Sequence, residues 1–317
     1  MSLELSVVVP MYNEQEVLPL FVERLRPVLD ATGADYEVLA VDDGSRDQTP
    51  VLLQRFLRDW PQLRVVRLRA NAGHQAAISA GLAAARGDWV ATIDADLQDP
   101  PEVIAEMLEV GRRDEVDVVY GVRGDRTSDS PFKRRTARGF YRVMRTLGDV
   151  DAPVDAGDFR LMSRATVDAV NALPEQGRVL RLIVPTLGFP STSVSYRRDE
   201  RAAGESKYPL SKMLKLTLDS VTGFSHAPLR LATWFGLAGF VVATGLLVYA
   251  LAAKLLDVTV AGWTSTVVIV AGFAAVQLLC LGILGEYVGR MYTAQQARPT
   301  YYVAYDSLEP RQGEQGR

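Results

Sequence analysis

Short apolar runs alternate with stretches of helical periodicity over the first 120 or so residues. Leu5–Val9 is β-favouring and stops at Pro10. From Glu14 to Leu29, apolar Val17, Leu18, Phe21, Val22, Leu25 and Val28 recur mostly at three- and four-residue steps, the spacing of one helical face. Tyr36–Val41 predicts a second strand, Thr49–Trp60 a helix, Leu63–Leu68 a third strand, Gln75–Ala85 an Ala-rich helix and Trp89–Ile93 a fourth strand. Pro100-Pro101-Glu102 opens a helix that runs to Arg113, since proline is tolerated in a first turn, and Val116–Tyr120 predicts a fifth strand. Strands alternating with helices argue an α/β domain with a doubly wound, mostly parallel sheet.

The pattern changes after Arg123. A basic loop leads into a helix predicted over Phe132–Leu147, and a strand around Phe159–Met162 is followed by a helix. Leu180–Leu187 and Ser191–Tyr196 read as further strands or helix ends, and Asp199–Tyr208 as a charged loop. Leu210–Phe224 is amphipathic, with Leu210, Met213, Leu214, Leu216, Leu218 and Val221 as its apolar side. With Lys212 and Lys215 it suits a membrane interface, and an ordinary surface helix fits the same pattern. Residues 231–253 and 258–285 then carry no charge at all. A membrane-spanning helix needs about 20 apolar residues, so two spans are expected, over about 231–253 and 262–285. Lys207, Lys212, Lys215 and Arg230 precede the first and Arg290 and Arg298 follow the second, which by the positive-inside rule places both termini in the cytoplasm. The expected organisation is a cytosolic domain over 1–209, a juxtamembrane helix region over 210–229, two spans within 230–290 and a cytosolic tail over 291–317, disordered after Asp306.

Composition narrows this little further. A net charge of −3 gives no global attraction to nucleic acid. The one cysteine, Cys280, lies in an apolar run and excludes an intrachain disulfide. His74 and His226 are too few and too far apart for a His-rich zinc site, and both read as structural. The segment Met1–Met11 lacks a basic n-region, so the N-terminal part is expected on the cytosolic side of an inner membrane. Glycines on both apolar runs (Gly236, Gly239, Gly245; Gly282, Gly285, Gly289) permit close helix packing and a homo-oligomer.

The chemistry-bearing residues sit at predicted strand ends. Pro10-Met11-Tyr12-Asn13-Glu14 ends the first strand and Asp42-Asp43-Gly44-Ser45 the second. Carboxylates there face the crevice in which α/β proteins bind ligands and commonly hold ribose hydroxyls or a base N–H; Asp43-Gly44-Ser45 also fits a capped turn. Asp94 and Asp96 follow the fourth strand, where alternation points both to one face. Such a pair can hold Mg2+ or Mn2+, which completes its shell with diphosphate and water, although Asp-x-Asp also occurs in plain surface loops. Asp96 is the first candidate for the metal, with Asp94 at the metal, sugar or ribose. Lys133, Arg134, Arg135 and Arg138 can supply cations to a phosphate or simply draw the chain to anionic lipid.

Three stretches together carry a resemblance: Val8-Val9-Pro10-Met11-Tyr12-Asn13-Glu14, Val41-Asp42-Asp43-Gly44-Ser45-Arg46-Asp47-Gln48-Thr49 and Asp94-Ala95-Asp96-Leu97-Gln98-Asp99-Pro100-Pro101-Glu102. The chain is similar to family 2 glycosyltransferases of the Rossmann-like GT-A fold. Downstream, Gly157-Asp158-Phe159-Arg160-Leu161, Arg201-Ala202-Ala203-Gly204-Glu205-Ser206-Lys207-Tyr208-Pro209, Phe224-Ser225 with Pro228-Leu229-Arg230, and Gly285-Glu286-Tyr287-Val288-Gly289-Arg290 resemble the polyisoprenyl-phosphate glycosyltransferase subgroup. That subgroup includes bactoprenol glucosyltransferases and dolichol-phosphate mannose synthase-like enzymes. The resemblance implies an inverting, metal-dependent transfer of a sugar from a nucleotide diphosphate sugar to a polyisoprenyl (undecaprenyl) phosphate. It implies UDP-glucose first and GDP-mannose second as donor. It makes Asp158 and Asp96 the leading catalytic carboxylates. Pro10, Tyr12, Glu14, Asp42, Asp43, Asp94 and Gln98 become donor-binding candidates, and Arg201, Ser206 and Lys207 acceptor-phosphate candidates beside the basic run. Three rivals fit less well. A processive polysaccharide synthase would carry Gln-x-x-Arg-Trp, a degenerate scaffold would have lost Asp94, Asp96 or Asp158, and a nicotinamide enzyme needs Gly-x-Gly-x-x-Gly after the first strand.

Overall fold

A computed structural model describes residues 3–124, 156–175, 178–197, 227–256 and 262–308. They fall into two compact units, one holding the sheet with its helices and the segment from Arg298 onward, the other holding two long helices.

The first unit is built on β1 (Leu5–Met11), every residue of which is buried. A strand covered on both faces reads as a continuous apolar run, and Leu-Ser-Val-Val-Val-Pro-Met is one. The chain continues through α1 (Leu18–Ala31), β2 (Tyr36–Asp42), α2 (Thr49–Asp59), β3 (Leu63–Leu68), α3 (His74–Ala84), β4 (Trp89–Thr92), α4 (Val103–Arg113) and β5 (Val118–Arg123). It resumes with β6 (Ala156–Ser163), α5 (Arg164–Ala172), α6 (Leu180–Thr186) and β7 (Ser191–Tyr196). Helix α1 buries Leu18, Phe21, Leu25 and Leu29, the face its periodicity marks. It begins four residues later than Glu14 because Asn13 takes a left-handed φ of 55° and the following backbone amides are held by the β2–α2 loop.

The sheet runs β7-β5-β6-β4-β1-β2-β3-β8, where β8 is Val303–Asp306. One apolar cluster joins its face to α1, α2 and α4, and another joins the opposite face to α3, α5 and α6. Helix α3 lies so close to β1 that a Cβ on Gly81 would come within 2.2 Å of Val8 Cγ1. The pairings β1–β2, β1–β4, β2–β3 and β5–β7 are parallel, whereas β6 runs antiparallel between β4 and β5 and β8 antiparallel along β3. The sheet is therefore mixed, mostly parallel as expected, with only β6 and β8 running against the other six strands among the described residues. Strand order reverses at β1, with β2 on one side and β4 on the other, which makes the carboxyl end of β1 a topological switch point.

Strand β8 falls where a plain tail was expected. Arg64 reaches it across 242 residues of sequence, donating from Nε and Nη2 to the Asp306 carboxylate at 2.9 and 2.6 Å and from Nη1 to the Ala84 carbonyl at 2.7 Å. A four-residue strand has too little apolar pattern to announce itself without that partner.

The second unit holds α7 (Ala227–Leu255) and α8 (Trp263–Gln295). Among the described residues one stretch, Val268–Gln295, is long and apolar enough to cross a membrane by length and composition, and Ala232–Leu246 is a shorter apolar stretch. Leu278, Leu281, Phe240 and Val241 are exposed on these helices. The predicted helices over 132–147 and 210–224 and the segment after 308 lie outside the described residues.

Arg64 and Asp306 are both nearly covered, at 11% and 9% exposed, so removing one partner leaves a buried charge. Arg64→Met is expected to cost about 3–5 kcal/mol, and the double variant Arg64→Met, Asp306→Leu to recover most of it. Denaturant unfolding in detergent measures both.

Candidate active site

The carboxyl ends of β1, β2 and β4 meet the amino end of β6. Because β6 is antiparallel to β4, with Thr92 opposite Arg160, its early residue Asp158 arrives beside Asp94. Thr92 Oγ1 donates to the Asp158 carbonyl and fixes this register.

The β1 and β2 ends are laced together. The Asn13 amide donates to Ser45 Oγ at 2.9 Å, the Glu14 amide to Thr49 Oγ1 at 2.8 Å, and the Arg46 amide to Asn13 Oδ1 at 2.9 Å. Pro10 is buried in β1, whereas Tyr12 stands 40% exposed beside this lacing. Asp42 Oδ1 accepts from the Ser45 amide at 2.8 Å. Its Oδ2 is buried and faces Arg67 Nε at 3.1 Å without hydrogen-bond geometry.

Asp43 points elsewhere. Its two oxygens accept from the Ala72 and Gly73 amides at 2.7 and 2.9 Å, which holds the loop leading into α3. Burial pushes the Asp43 carboxyl up from its ordinary pKa, while those two amides pull it down. Gly44 permits the approach: it takes a φ of +68°, and a Cβ there would lie 2.8 Å from the Ala70 carbonyl carbon and the Asn71 nitrogen. The turn reading of Asp43-Gly44-Ser45 is thus embodied, with Asp43 serving the loop while Asp42 accepts from the Ser45 amide.

The loop delivers His74 and Gln75 to the opposite carboxylates. His74 Nε2 lies 3.4 Å from Asp94 Oδ1 and 3.5 Å from Asp158 Oδ2. Gln75 Nε2 donates to Asp158 Oδ2 at 3.0 Å while its Oε1 accepts from the Leu180 amide at 3.0 Å. Arg160 is buried and donates to Asp158 Oδ1 at 3.2 Å, to the Gly157 carbonyl at 2.9 Å and to the Leu180 carbonyl at 3.0 Å. Arg181 Nη2 reaches Asp158 Oδ2 at 3.4 Å.

These neighbours set the charges. Burial alone would raise the pKa of Asp158. The hydrogen bond from His74 and the charges of Arg160, Arg181 and His74 reverse that and hold it well below the usual carboxylate range. Asp94 goes the other way: burial pushes it up to about 6, against the pull of His74, and Asp158, Asp99 and Asp96 add their repulsion. His74 is raised despite its burial, because Asp158 and Asp94 favour the imidazolium. Behind them Asp99 accepts from Tyr196 Oη.

Asp96 Oδ1 accepts from the Gln98 amide at 3.1 Å, and Gln98 Oε1 is buried without a partner. No three carboxylate, histidine or cysteine side chains converge as a complete metal cage among the described residues. Asp94 and Asp96 nevertheless fit a hard cation. They are oxygen donors close to Asp158 and Asp99, whose charges add to the burial that lifts Asp94, and Mg2+ or Mn2+ needs only one or two carboxylates when phosphate and water supply the rest. Lys133, Arg134, Arg135, Arg138, Arg201, Ser206 and Lys207 lie outside the described residues. Sequence reasoning missed His74, Gln75 and Arg181 as site residues. The available signal was the Gly73-His74-Gln75 entry to a helix that directly follows a strand end, the same context that marked Asp42 and Asp94.

Fold and site together define an α/β protein with carboxylates gathered at a switch point. Comparison with known proteins specifies it. A family model described as "Glycosyl transferase family 2" matches residues 6–170. An uncharacterized glycosyltransferase, YkcC, of Bacillus subtilis (strain 168) is 44% identical over 304 residues, covering 95% of this chain and 93% of that protein. The bactoprenol glucosyl transferase of Shigella phage SfV is 35% identical over 304 residues, covering 95% of this chain and 98% of that protein. The crystal structure of glucosyl-3-phosphoglycerate synthase from Mycobacterium tuberculosis with Mn2+, uridine diphosphate and phosphoglyceric acid aligns with a TM-score of 0.49 at 20% identity, over 69% of this chain and 76% of that one. The chain belongs to glycosyl transferase family 2 and is a glycosyltransferase.

Asp43→Asn would turn an amide N–H toward one of the two backbone donors it now accepts from. A loss of about 1–3 kcal/mol is expected, because a buried donor is left unpaired. Chemical denaturation of the purified variant in detergent reads it.

Proposed function

We propose that the protein transfers a sugar, with UDP-glucose as donor, to a polyisoprenyl phosphate such as undecaprenyl phosphate at the cytosolic face of a membrane, inverting the anomeric centre. The observation that carries the reading is Asp158, covered by protein, ionised, and set beside Asp94 at the switch point. The likeness to a bactoprenol glucosyl transferase along almost the whole chain supports the acceptor class.

The donor lies across the ends of β1, β2 and β4. Gln98 Oε1, buried and unpartnered, awaits one of its hydrogen-bond donors. Asp42 Oδ2, paired with Arg67 but without hydrogen-bond geometry, offers a second acceptor, and Pro10, Tyr12 and Glu14 flank them. Asp94 and Asp96 would hold a divalent cation, which would supply positive charge to the diphosphate. An oxygen of the acceptor phosphate forms the bond to the anomeric carbon, and the bond from that carbon to the diphosphate oxygen breaks, its electron pair leaving with the nucleoside diphosphate. No proton need move, because a phosphate monoester with a second pKa near 6 is largely a dianion at pH 7. A carboxylate held as far down as Asp158 is a poor proton acceptor at that pH. It acts instead as a fixed negative charge beside the sugar, stabilising positive character at the anomeric carbon. Arg201, Ser206 and Lys207, with Lys133, Arg134, Arg135 and Arg138, complete the acceptor side. In this reading α7 and α8 both span the membrane with the two termini in the cytoplasm, the 210–229 region lies at the interface, and copies of the chain associate through the helices.

Purified protein in detergent with undecaprenyl phosphate, Mg2+ or Mn2+ and a panel of UDP- and GDP-sugars tests this. A lipid-linked sugar should form with UDP-glucose and vanish on chelation or in Asp96→Ala. Polymer made without lipid phosphate would overturn the proposal. In the same assay Asp158→Asn should lower kcat at least 100-fold, roughly the loss of one well-placed electrostatic group, while nucleotide affinity stays within about 3-fold.

A further inference from the structure

The proposed reaction brings a phosphate dianion to a carboxylate that is itself ionised. Two such anions repel unless a cation stands between them. Three basic side chains contact the Asp158 carboxylate among the described residues: His74, Arg160 and Arg181. Arg160 is buried, with its guanidinium committed to Asp158 and the carbonyls of Gly157 and Leu180. His74 sits between Asp158 and Asp94, so its Nε2 already serves two carboxylates. Arg181 differs from both. Its side chain is 47% exposed, and it touches Asp158 at 3.4 Å, longer than an ordinary hydrogen bond. A guanidinium carries five N–H donors in a fork matched to phosphate oxygens, so most of this one remains open.

Its placement is built rather than incidental. The neighbouring residue Leu180 is buried and held at both backbone groups: its carbonyl accepts from Arg160 Nη1 and its amide donates to Gln75 Oε1. Arg160 and Gln75 are the same two side chains that grip Asp158, one at each oxygen. Two bridges therefore lock the backbone that bears Arg181 in register with the carboxylate.

We propose that Arg181 is a further acceptor-binding residue, taking the phosphoryl oxygens of the polyisoprenyl phosphate and seating them beside Asp158. The inference rests on the lipid-phosphate reading above. The leaving diphosphate offers the same oxygens, and kinetics separates the two sources. In Arg181→Leu, KM for undecaprenyl phosphate should rise about 10- to 100-fold, the worth of a charge-assisted hydrogen bond, while KM for the nucleotide sugar and inhibition by the free nucleoside diphosphate stay within about 3-fold. Arg181→Lys, which keeps the charge and loses the fork, should restore part of the loss. Unchanged nucleotide diphosphate affinity also shows that the variant is folded. A rise in KM confined to the nucleotide sugar assigns Arg181 to the leaving group and overturns the proposal, as does an unchanged KM for both substrates. If the wild-type protein itself makes no lipid-linked sugar, the functional reading falls and this inference falls with it.

Discussion

Negative charge gathered at the switch point is the constraint around which the site is arranged. Burial lifts Asp94 to about 6 against the pull of His74, and repulsion from Asp158, Asp99 and Asp96 adds to it. Asp158 nevertheless stays ionised, because Arg160, Arg181 and His74 surround it and Gln75 donates to it. Leaving a buried carboxylate charged requires such partners, since burial alone would neutralise it. The partners come from three elements, α3, β6 and α6, so ionising Asp158 also ties those elements together. The side chains that set the charge also set the geometry.

This division explains what could be read from the chain. The β1–α4 elements were legible because central strands covered on both faces give unbroken apolar runs and α1 and α4 have clean apolar faces. The positions of Asp42 at the end of β2 and of Asp94 and Asp96 just after β4 were legible because the strands themselves were. The direction of β6 was not: a run such as Phe159–Met162 reads as a strand whichever way it pairs, and its pairing with β4 depends on contacts such as that of Thr92 with the Asp158 backbone, 66 residues apart. His74 looked structural for a similar reason. Its carboxylate partners reach it only through the fold, and the loop that delivers it is set by Asp43 accepting from Ala72 and Gly73. Strand β8 depends on Arg64 and Asp306, a pair separated by nearly the whole chain.

Asp42 and Asp43 show how adjacent identical residues acquire different work. At the end of a strand, successive side chains point to opposite sides. One carboxylate therefore turns to Arg67 and the Ser45 amide, and the next turns to the backbone of the following loop. Gly44 makes the second contact possible, since any Cβ would strike Ala70 and Asn71. The turn that presents Asp42 is thus the same turn that fixes the entry to α3, and through Gln75 it extends to Asp158. The end of β2 and Asp158 are thus joined through one short backbone segment held by hydrogen bonds at both ends.

The charge state of Asp158 bears on which acceptors the site suits. An alcohol acceptor must lose a proton as it attacks, and a carboxylate held far below pH 7 accepts one poorly. A phosphate monoester arrives already deprotonated and asks only to be neutralised and oriented. The same cations that spoil Asp158 as a base are those an anionic acceptor needs near it. A site built this way gives up proton transfer and gains electrostatic positioning, which matches a lipid phosphate better than a sugar hydroxyl.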